Sequence, residues 1–300
     1  MNLKEIAEKC RKLTSPYRID DGRKFKLDAM NPGDVGDLTA EDKPRAKEAL
    51  AFGVQALAEL QGLLYAQNRW AALAVFQAMD AAGKDGTIKH VMSGVNPQGC
   101  QVDSFKAPST EELDHDYLWR CLKRLPARGR IGIFNRSYYE EVLVLRVHEE
   151  LLKKQKVPAE LITPKIWEER YEDIRNVEQY LSRNGYVSRK FFLNVSREEQ
   201  KRRFMERLET PDKNWKFSSS DAKERQHWDE YMTAYEAMIR ATARPYAPWY
   251  VVPADNKWFS RVVVAAAIID ALEALDLKFP EMTDAQKQLL GEARKTLVGG

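Results

Sequence analysis

An apolar run, Ala71 to Met79, stops at Asp80 and is followed by a small-residue turn, Ala81-Ala82-Gly83, then Lys84 and a helix-compatible stretch. Strand, glycine-containing loop, lysine, helix is the layout of a phosphate-binding loop. Backbone amides at the helix start, the helix dipole and a lysine converge there on anionic oxygens. The residues depart from G-x-x-x-x-G-K-[ST] in two places, with Ala78 for the first glycine and Asp85 for the hydroxyl residue. An ordinary strand-to-helix turn with a surface lysine would read the same way. Asp80 argues against that alternative. A carboxylate beside phosphates is repelled unless a metal ion lies between them, which points to Mg²⁺.

A second stretch, Ile131 to Glu140, is an apolar strand ending in Asn135-Arg136. Arg136 brings a planar fork suited to phosphate oxygens. Asn135 is a neutral and poorer metal ligand than the carboxylate usual at such a strand end, or else a helix-capping amide. Glu140, about one helical turn on, supplies the missing charge or is a solvated helix residue. Lys106 follows another strand, with Pro108 fixing the turn, and either meets substrate phosphate or caps the sheet edge. Basic residues cluster further on, at Lys201-Arg202-Arg203, Arg207, Lys213, Lys216, Lys223 and Arg225, with acidic residues interleaved as on a solvated helical face. The four histidines have no ligand spacing, and neither G-x-S-x-G nor H-E-x-x-H occurs.

These residues need elements to position them. After the first strand come four short, largely apolar segments: 101–105, 131–134, 190–195 and 249–252. Between them lie helix-length patterns at 85–94, 109–125, 137–151, 164–184, 196–208, 221–242 and 256–275. Alternating strands and helices predict an α/β fold with a parallel sheet covered on both faces. Right-handed crossovers bring the strand C-termini to one edge, where ligands bind. Asp80, Phe105 to Pro108, Asn135-Arg136 and Ser196 all fall on that edge. Ser196-Arg197-Glu198-Glu199 reads as a capping box opening the helix of Lys201 to Arg203. With Phe204 and Leu208 as its buried stripe, at least two of the three cations face outward. A polar loop, Asp212 to Ser220, and a helix from about Asp221 complete what resembles a lid over phosphates. Ahead of all this, Ala46 to Asn68 is an amphipathic helix and residues 1–50 read as a polar arm.

The 300 residues, 44% hydrophobic and 31% charged, suit a globular domain with a full core. The run Val262 to Ile269 is too short to span a bilayer. No apolar signal region opens the chain, and three cysteines show no metal, redox or disulfide pattern, so the expected location is the cytoplasm. A net charge of +3 is too small to imply a nucleic-acid partner.

MDAAGKDGTIKHV, SFKAPS, IGIFNRSYYEEVLVLRVH and the stretch from Ser196 through Trp215 to Trp228-Asp229 resemble the family-2 polyphosphate kinases, in order over most of residues 50–275. AMDAAGKDG and FNRSYYEEV resemble the subgroup that phosphorylates nucleoside monophosphates as well as diphosphates; other members typically read FDRSWYNRA. The resemblance implies a thymidylate-kinase-like P-loop kinase core, a three-layer α/β/α sandwich with a five-stranded parallel sheet. That core would span residues 51–276, with a helical lid at about 197–243, between the arm and a tail at 277–300. It implies reversible transfer of the terminal phosphoryl group of inorganic polyphosphate to AMP or ADP with Mg²⁺ (Mn²⁺ as an alternative), in a homodimer or homotetramer.

The residues take roles within that chemistry. Ala82, Gly83, Lys84, Asp85 and Gly86 would cradle phosphates, and Arg136 would neutralise the transferred group. Asp80 and Glu140 would hold metal. Asp80, Lys106, Asn135, Arg136 and Tyr139 would meet the nucleotide, and Lys201, Arg202, Arg203, Lys213 and Lys216 would line a polymer channel. An ATP-dependent nucleoside monophosphate kinase and a non-catalytic polyphosphate-binding protein are the competing expectations.

Overall fold

A computed structural model of the chain describes residues 2–216 and 223–298. The first core strand, β2 (Ala71–Gln77), is buried along its whole length, as a continuous apolar run must be when helices cover both faces of a sheet. It pairs in parallel with β4 (Ile131–Asn135) and β5 (Tyr186–Asn194); β4 carries β3 (Cys100–Ser104) and β5 carries β6 (Trp249–Pro253), all parallel. The order β1-β6-β5-β2-β4-β3 puts β2 where the winding direction reverses, so the loop after β2 opens into the crevice typical of such folds.

The sheet has six strands rather than five. The extra one, β1 (Arg18–Ile19), pairs antiparallel with β6 and comes from the segment expected to be an arm. That segment is part of the core. Helix α1 (Leu3–Thr14) packs on the late helix α10 (Lys257–Glu273), and Tyr17, Phe25 and Leu27 are buried. A two-residue strand carries no periodicity, which is why the sequence pattern passed over it.

Helices α2 (Lys43–Gln67), α3 (Lys84–Val91) and α10 pack together in one layer; α6 (Glu140–Val147), α7 (Ile166–Arg183) and α9 (Trp228–Thr242) form the other. Successive strand residues serve opposite layers: Phe192 stacks on Tyr235 of α9, whereas Phe191 stacks on Phe76 and meets Tyr250. By length and composition α2 is apolar enough to cross a membrane, but its Leu57, Leu60 and Leu64 are buried and it lies against α10. It behaves as a core helix.

Several predicted helices are shorter than their patterns. The 109–125 pattern splits into α4 (Thr110–Leu113) and α5 (Trp119–Leu122), because Asp116 accepts a hydrogen bond from the Leu118 amide and starts a new turn. The 137–151 pattern becomes α6 and a 3₁₀ segment, Glu149–Gln155. Helix α8 (Arg197–Glu209) begins as expected at Ser196, whose hydroxyl accepts from the Glu199 amide. The reciprocal half of the capping box is absent. The Ser196 amide donates instead to Asp255, and Glu199 is engaged by Arg202 and Arg203. After a 3₁₀ turn, Pro211–Lys216, the end of the expected polar loop and the expected helix start at Asp221 lie outside the described residues. The tail ends in α11 (Asp284–Val298), exposed throughout.

Candidate active site

The loop between β2 and α3 is held from inside the protein. Ala81 and Gly83 both take left-handed backbone conformations, at φ 62° and 105°; glycine does so freely, whereas alanine is strained there. The strain is held by α8. Gln200 donates to the Asp80 carbonyl at 3.0 Å. Arg203, only 3% exposed, places all five of its N–H donors: on Glu199 at 2.7 Å, the Ala81 and Ala82 carbonyls at 3.1 and 2.7 Å, and the Ala254 and Asp255 carbonyls at 2.6 and 3.0 Å. This corrects the expectation that Arg203 lines a polymer channel, since no donor remains to meet a phosphate. Phe204 is buried as expected, but Leu208 is 45% exposed, so the inward face of α8 is Gln200, Arg203 and Phe204. Lys201 and Arg202 face outward, and Arg202 is engaged by Glu199 and Glu206. Of Lys213 and Lys216, only the backbone belongs to the described structure.

The first turn of α3 leaves its leading amides without intrahelical acceptors, facing the cleft. Lys84 folds back to donate to the Ala78 carbonyl at 2.8 Å. Burial pushes its ammonium below the usual lysine range, against the opposing pull of Asp80 and Glu140. From the end of β4, Asn135 donates to Asp85 at 2.8 Å, which ties α3 to the neighbouring strand. Arg136, at φ 65°, turns its guanidinium to Asp80 at 3.0 Å. Burial alone would lower the Arg136 pKa, but the carboxylates of Glu140 and Asp80 outweigh it and the pKa is raised. Glu140 opens α6; burial raises its carboxyl, and Arg136 and Lys84 restrain the rise. The Gln77 amide, oriented by its contact with Ser137, sets its nitrogen 2.7 Å from Glu140.

Two clefts meet at the Asp80–Arg136 pair. One, of about 810 Å³, runs over the loop and is lined by Gly83, Lys84, Gly86, Lys106, Asn135 and Arg207. The other, of about 320 Å³, lies between α6 and α9 and is lined by Glu140, Leu143, Tyr231 and Tyr235. Met79, Asp80 and Arg136 belong to both. A larger cleft of about 1040 Å³, between residues 23–32 and α9, includes Ser196 from the expected ligand edge but none of the residues expected to bind phosphate, nucleotide or metal, so chemistry and not size singles out the loop. The Lys106 carbonyl is fixed by the buried Arg120 at 2.7 Å, which leaves the exposed lysine side chain at the mouth.

Tyr139 is not at the mouth. It is 0% exposed, donating to Glu178 at 2.7 Å and accepting from Lys190 at 3.0 Å, so its expected contact with nucleotide is withdrawn. The sequence reading also missed Gln200, Gln77 and the two α9 tyrosines. Gln200 was accessible, since it lies four residues before Phe204, on the same helical face.

Asp80 and Glu140 form a hard oxygen donor set. The described residues hold no cluster of three or more His, Cys, Asp or Glu that could grip a metal alone. One or two carboxylates completed by substrate phosphates is how Mg²⁺ is usually held, so these residues fit it. The cluster Lys84, Arg136, Asp80 and Glu140 is also near neutral in sum, so two polyanions brought together there require further positive charge.

The family model described as polyphosphate kinase 2 matches residues 40–280. The chain belongs to that family. As a polyphosphate kinase 2 it is similar to the ADP-polyphosphate phosphotransferase of Rhodopseudomonas palustris, at 50% identity over 286 residues, covering 95% of this chain and 98% of that one. It is similar also to the AMP/ADP-polyphosphate phosphotransferase of Meiothermus ruber, at 42% identity over 276 residues, covering 92% and 99%. The crystal structure of polyphosphate kinase 2 from Arthrobacter aurescens TC1 superposes with a TM-score of 0.84 at 38% identity, covering 93% of this chain and 96% of that one. The mostly parallel α/β sandwich is thus the fold of the family.

Proposed function

We propose that this polyphosphate kinase 2 transfers the terminal phosphoryl group of inorganic polyphosphate to AMP and ADP, giving ADP and ATP, reversibly and with Mg²⁺, in the cytoplasm. The observation that carries the reading is the Asp80–Arg136 pair at the junction of two clefts, beside a phosphate loop. Two anions approaching from either side meet at one guanidinium. Support for the substrates comes from the relatives, one named for ADP and one for AMP and ADP.

Phosphoryl transfer needs positioning and charge neutralisation more than covalent help. The end of the donor chain lies on the amides of Gly83 to Gly86, with the Lys84 ammonium turning from the Ala78 carbonyl to its oxygens. The nucleotide phosphate lies across from it, near Lys106, Asn135 and Arg136. Its second pKa is about 6, so it arrives as an anionic nucleophile and no general base is required. Arg136 spans the transferred group with the fork that otherwise engages Asp80. Asp80 and Glu140 would hold the metal, which would offset the charge of the crowded phosphate oxygens. Gln200 and Arg203 keep the loop in its strained form, so the amides need not reorganise during transfer. Assembly into a homodimer or homotetramer belongs to the same reading and is measured by light scattering.

Incubation with AMP or ADP, Mg²⁺ and polyphosphate, with no ATP added, tests the proposal. Following ³¹P signals of polymer and nucleotide together should reveal ADP from AMP and ATP from ADP. Product only when ATP is supplied would favour an ATP-dependent monophosphate kinase, and polymer binding without any nucleotide product would favour a binding protein.

A further inference from the structure

Two cations at the start of α10 stand beside the loop without an ion pair or hydrogen bond among the described residues. Lys257, the first residue of the helix, is exposed and lies in the field of Arg203 and Arg202 of α8. Burial and those two cations lower its pKa, and the opposing carboxylates of Glu206 and Glu199 do not restore it. Arg261, one turn further along, reaches α3: a Cβ placed on Gly86 would sit 3.9 Å from its Nη2. The Nε of Arg261 is buried without a hydrogen-bond partner. Among the described residues, neither side chain makes an ion pair or a hydrogen bond. On the neighbouring α8, by contrast, Arg202 is engaged by Glu199 and Glu206 and Arg203 by its carbonyl cage.

Helix α10 starts at the end of β6, on the same sheet edge as the loop after β2, and its first turns run beside α3. Side chains four residues apart on a helix lie about 6 Å from each other on one face. Lys257 and Arg261 therefore make a short row of positive charge leading away from Gly86. A single phosphate on the loop does not need such a row, and in the proposed reading the nucleotide phosphates lie across the cleft, near Lys106, Asn135 and Arg136. A linear polyanion with one charge per unit does.

We propose that Lys257 and Arg261 form a distal subsite for the donor, binding polyphosphate units beyond those on the loop, so that the enzyme distinguishes long chains from short ones there. The inference rests on polyphosphate being the donor, as argued above, and adds the residues that read its length. Arg261 can reach the chain with its Nη groups, and the exposed Lys257 supplies a mobile point charge.

The test is kinetic. The double variant Lys257→Ala/Arg261→Ala, and Lys257→Ala alone because its exposed side chain leaves folding undisturbed, are assayed with tripolyphosphate and with long-chain polyphosphate at saturating ADP. Loss of a charge-assisted phosphate contact corresponds to about tenfold in affinity. The expected result is a KM for long-chain donor raised about tenfold more than the KM for tripolyphosphate. The long-chain KM should also respond less steeply to salt than in the wild type, as fewer ion contacts dictate. Equal effects on both donors, or no effect on either, would overturn the subsite. A wild-type protein that makes no ATP from ADP and either polymer would instead overturn the donor assignment itself, so the two failures are distinguishable.

Discussion

Lys84 and Lys190 are both drawn into the protein, and burial lowers the pKa of both. Their surroundings differ. Lys190, fully buried in β5, places three donors on three acceptors: Glu178 at 2.7 Å, the Thr242 carbonyl at 2.9 Å and the Tyr139 hydroxyl at 3.0 Å. Lys84, lining the cleft, has among the described residues the Ala78 carbonyl alone. The arginines repeat the contrast, with Arg203 saturated by the loop it supports and by Glu199, Ala254 and Asp255, while among the described residues the Arg136 guanidinium bonds only Asp80. A saturated buried cation is part of the scaffold; one with open donors is waiting for an anion. Residue type does not separate the two cases, whereas donor saturation does, and the open cations are also the more exposed, Arg136 at 38% against 3% for Arg203.

The largest expected effect breaks the scaffold side of this contrast. Lys190→Met leaves the Glu178 carboxylate buried with only the hydroxyls of Tyr138 and Tyr139 for company, a situation that typically costs about 3–5 kcal/mol. Urea unfolding should register it, and adding Glu178→Gln should recover much of the loss, because the uncompensated charge goes with it. The surviving folded fraction should turn over normally. A variant as stable as the wild type would mean that saturation does not mark structural cations.

Lys84→Met should do the reverse. It removes one hydrogen bond and a half-buried charge, so stability should stay within about 1 kcal/mol. Turnover should fall about 100- to 1000-fold, the range for deleting one preorganised electrostatic group. Comparing kcat with the unfolding midpoint for both lysine variants gives opposite patterns, and a shared pattern would dissolve the distinction.

How much of this was legible in the sequence follows from which physics local pattern records. The five parallel strands were readable because their apolar runs sit between turn signals, although β5 begins at Tyr186 and its polar alternation through Ser188 and Arg189 hid the first half. Helix α1 was passed over with the rest of the polar arm: Leu3, Ile6, Ala7, Cys10 and Leu13 follow a helical period, but the acidic and basic residues between them masked it. The site's order along the chain gave Asp80, Lys84, Asn135 and Arg136, which the structure brings to one edge. What the chain could not reveal is the partner each side chain meets. Arg203 and Tyr139 lie beside residues of the expected machinery, yet their contacts are Ala254, Asp255, Glu178 and Lys190, all distant in sequence.

Arg203→Lys sharpens the comparison because it keeps the charge and loses the cage. Were Arg203 a polymer-binding cation, lysine would serve nearly as well. As the clamp on Ala81 and Ala82 it cannot be replaced, since an ammonium has three donors in a compact head and no planar fork. The expected result is a fall of about tenfold in kcat/KM with a stability loss of about 1–3 kcal/mol for the unsatisfied carbonyls. Arg202→Lys, on the outward face of the same helix, should change kcat/KM by less than about twofold, as exposed pairs usually do. Equal responses at the two positions would return Arg203 to the polymer channel.

The smallest effect concerns the acid that completes the clamp. Glu199 receives Arg202 at 2.6 and 2.7 Å and Arg203 at 2.7 Å, and the hydrogen bonds from Arg202 lead the causes that hold its carboxyl below the usual range near 4.5. A carboxyl whose pKa is depressed in the folded state stabilises that state fully above the unfolded value and loses the contribution as pH falls through the folded one. At neutral pH, Glu199→Gln should therefore cost about 1 kcal/mol in urea unfolding, an amount set by a partly screened carboxylate. Once the pH is low enough to protonate Glu199 in the folded state as well, the two proteins should converge, because protonated glutamic acid and glutamine then present similar neutral groups to Arg203. A gap that persists into acid would mean that Glu199 acts through shape alone, and that the carbonyls of Ala81, Ala82, Ala254 and Asp255 suffice to hold the arginine under the loop.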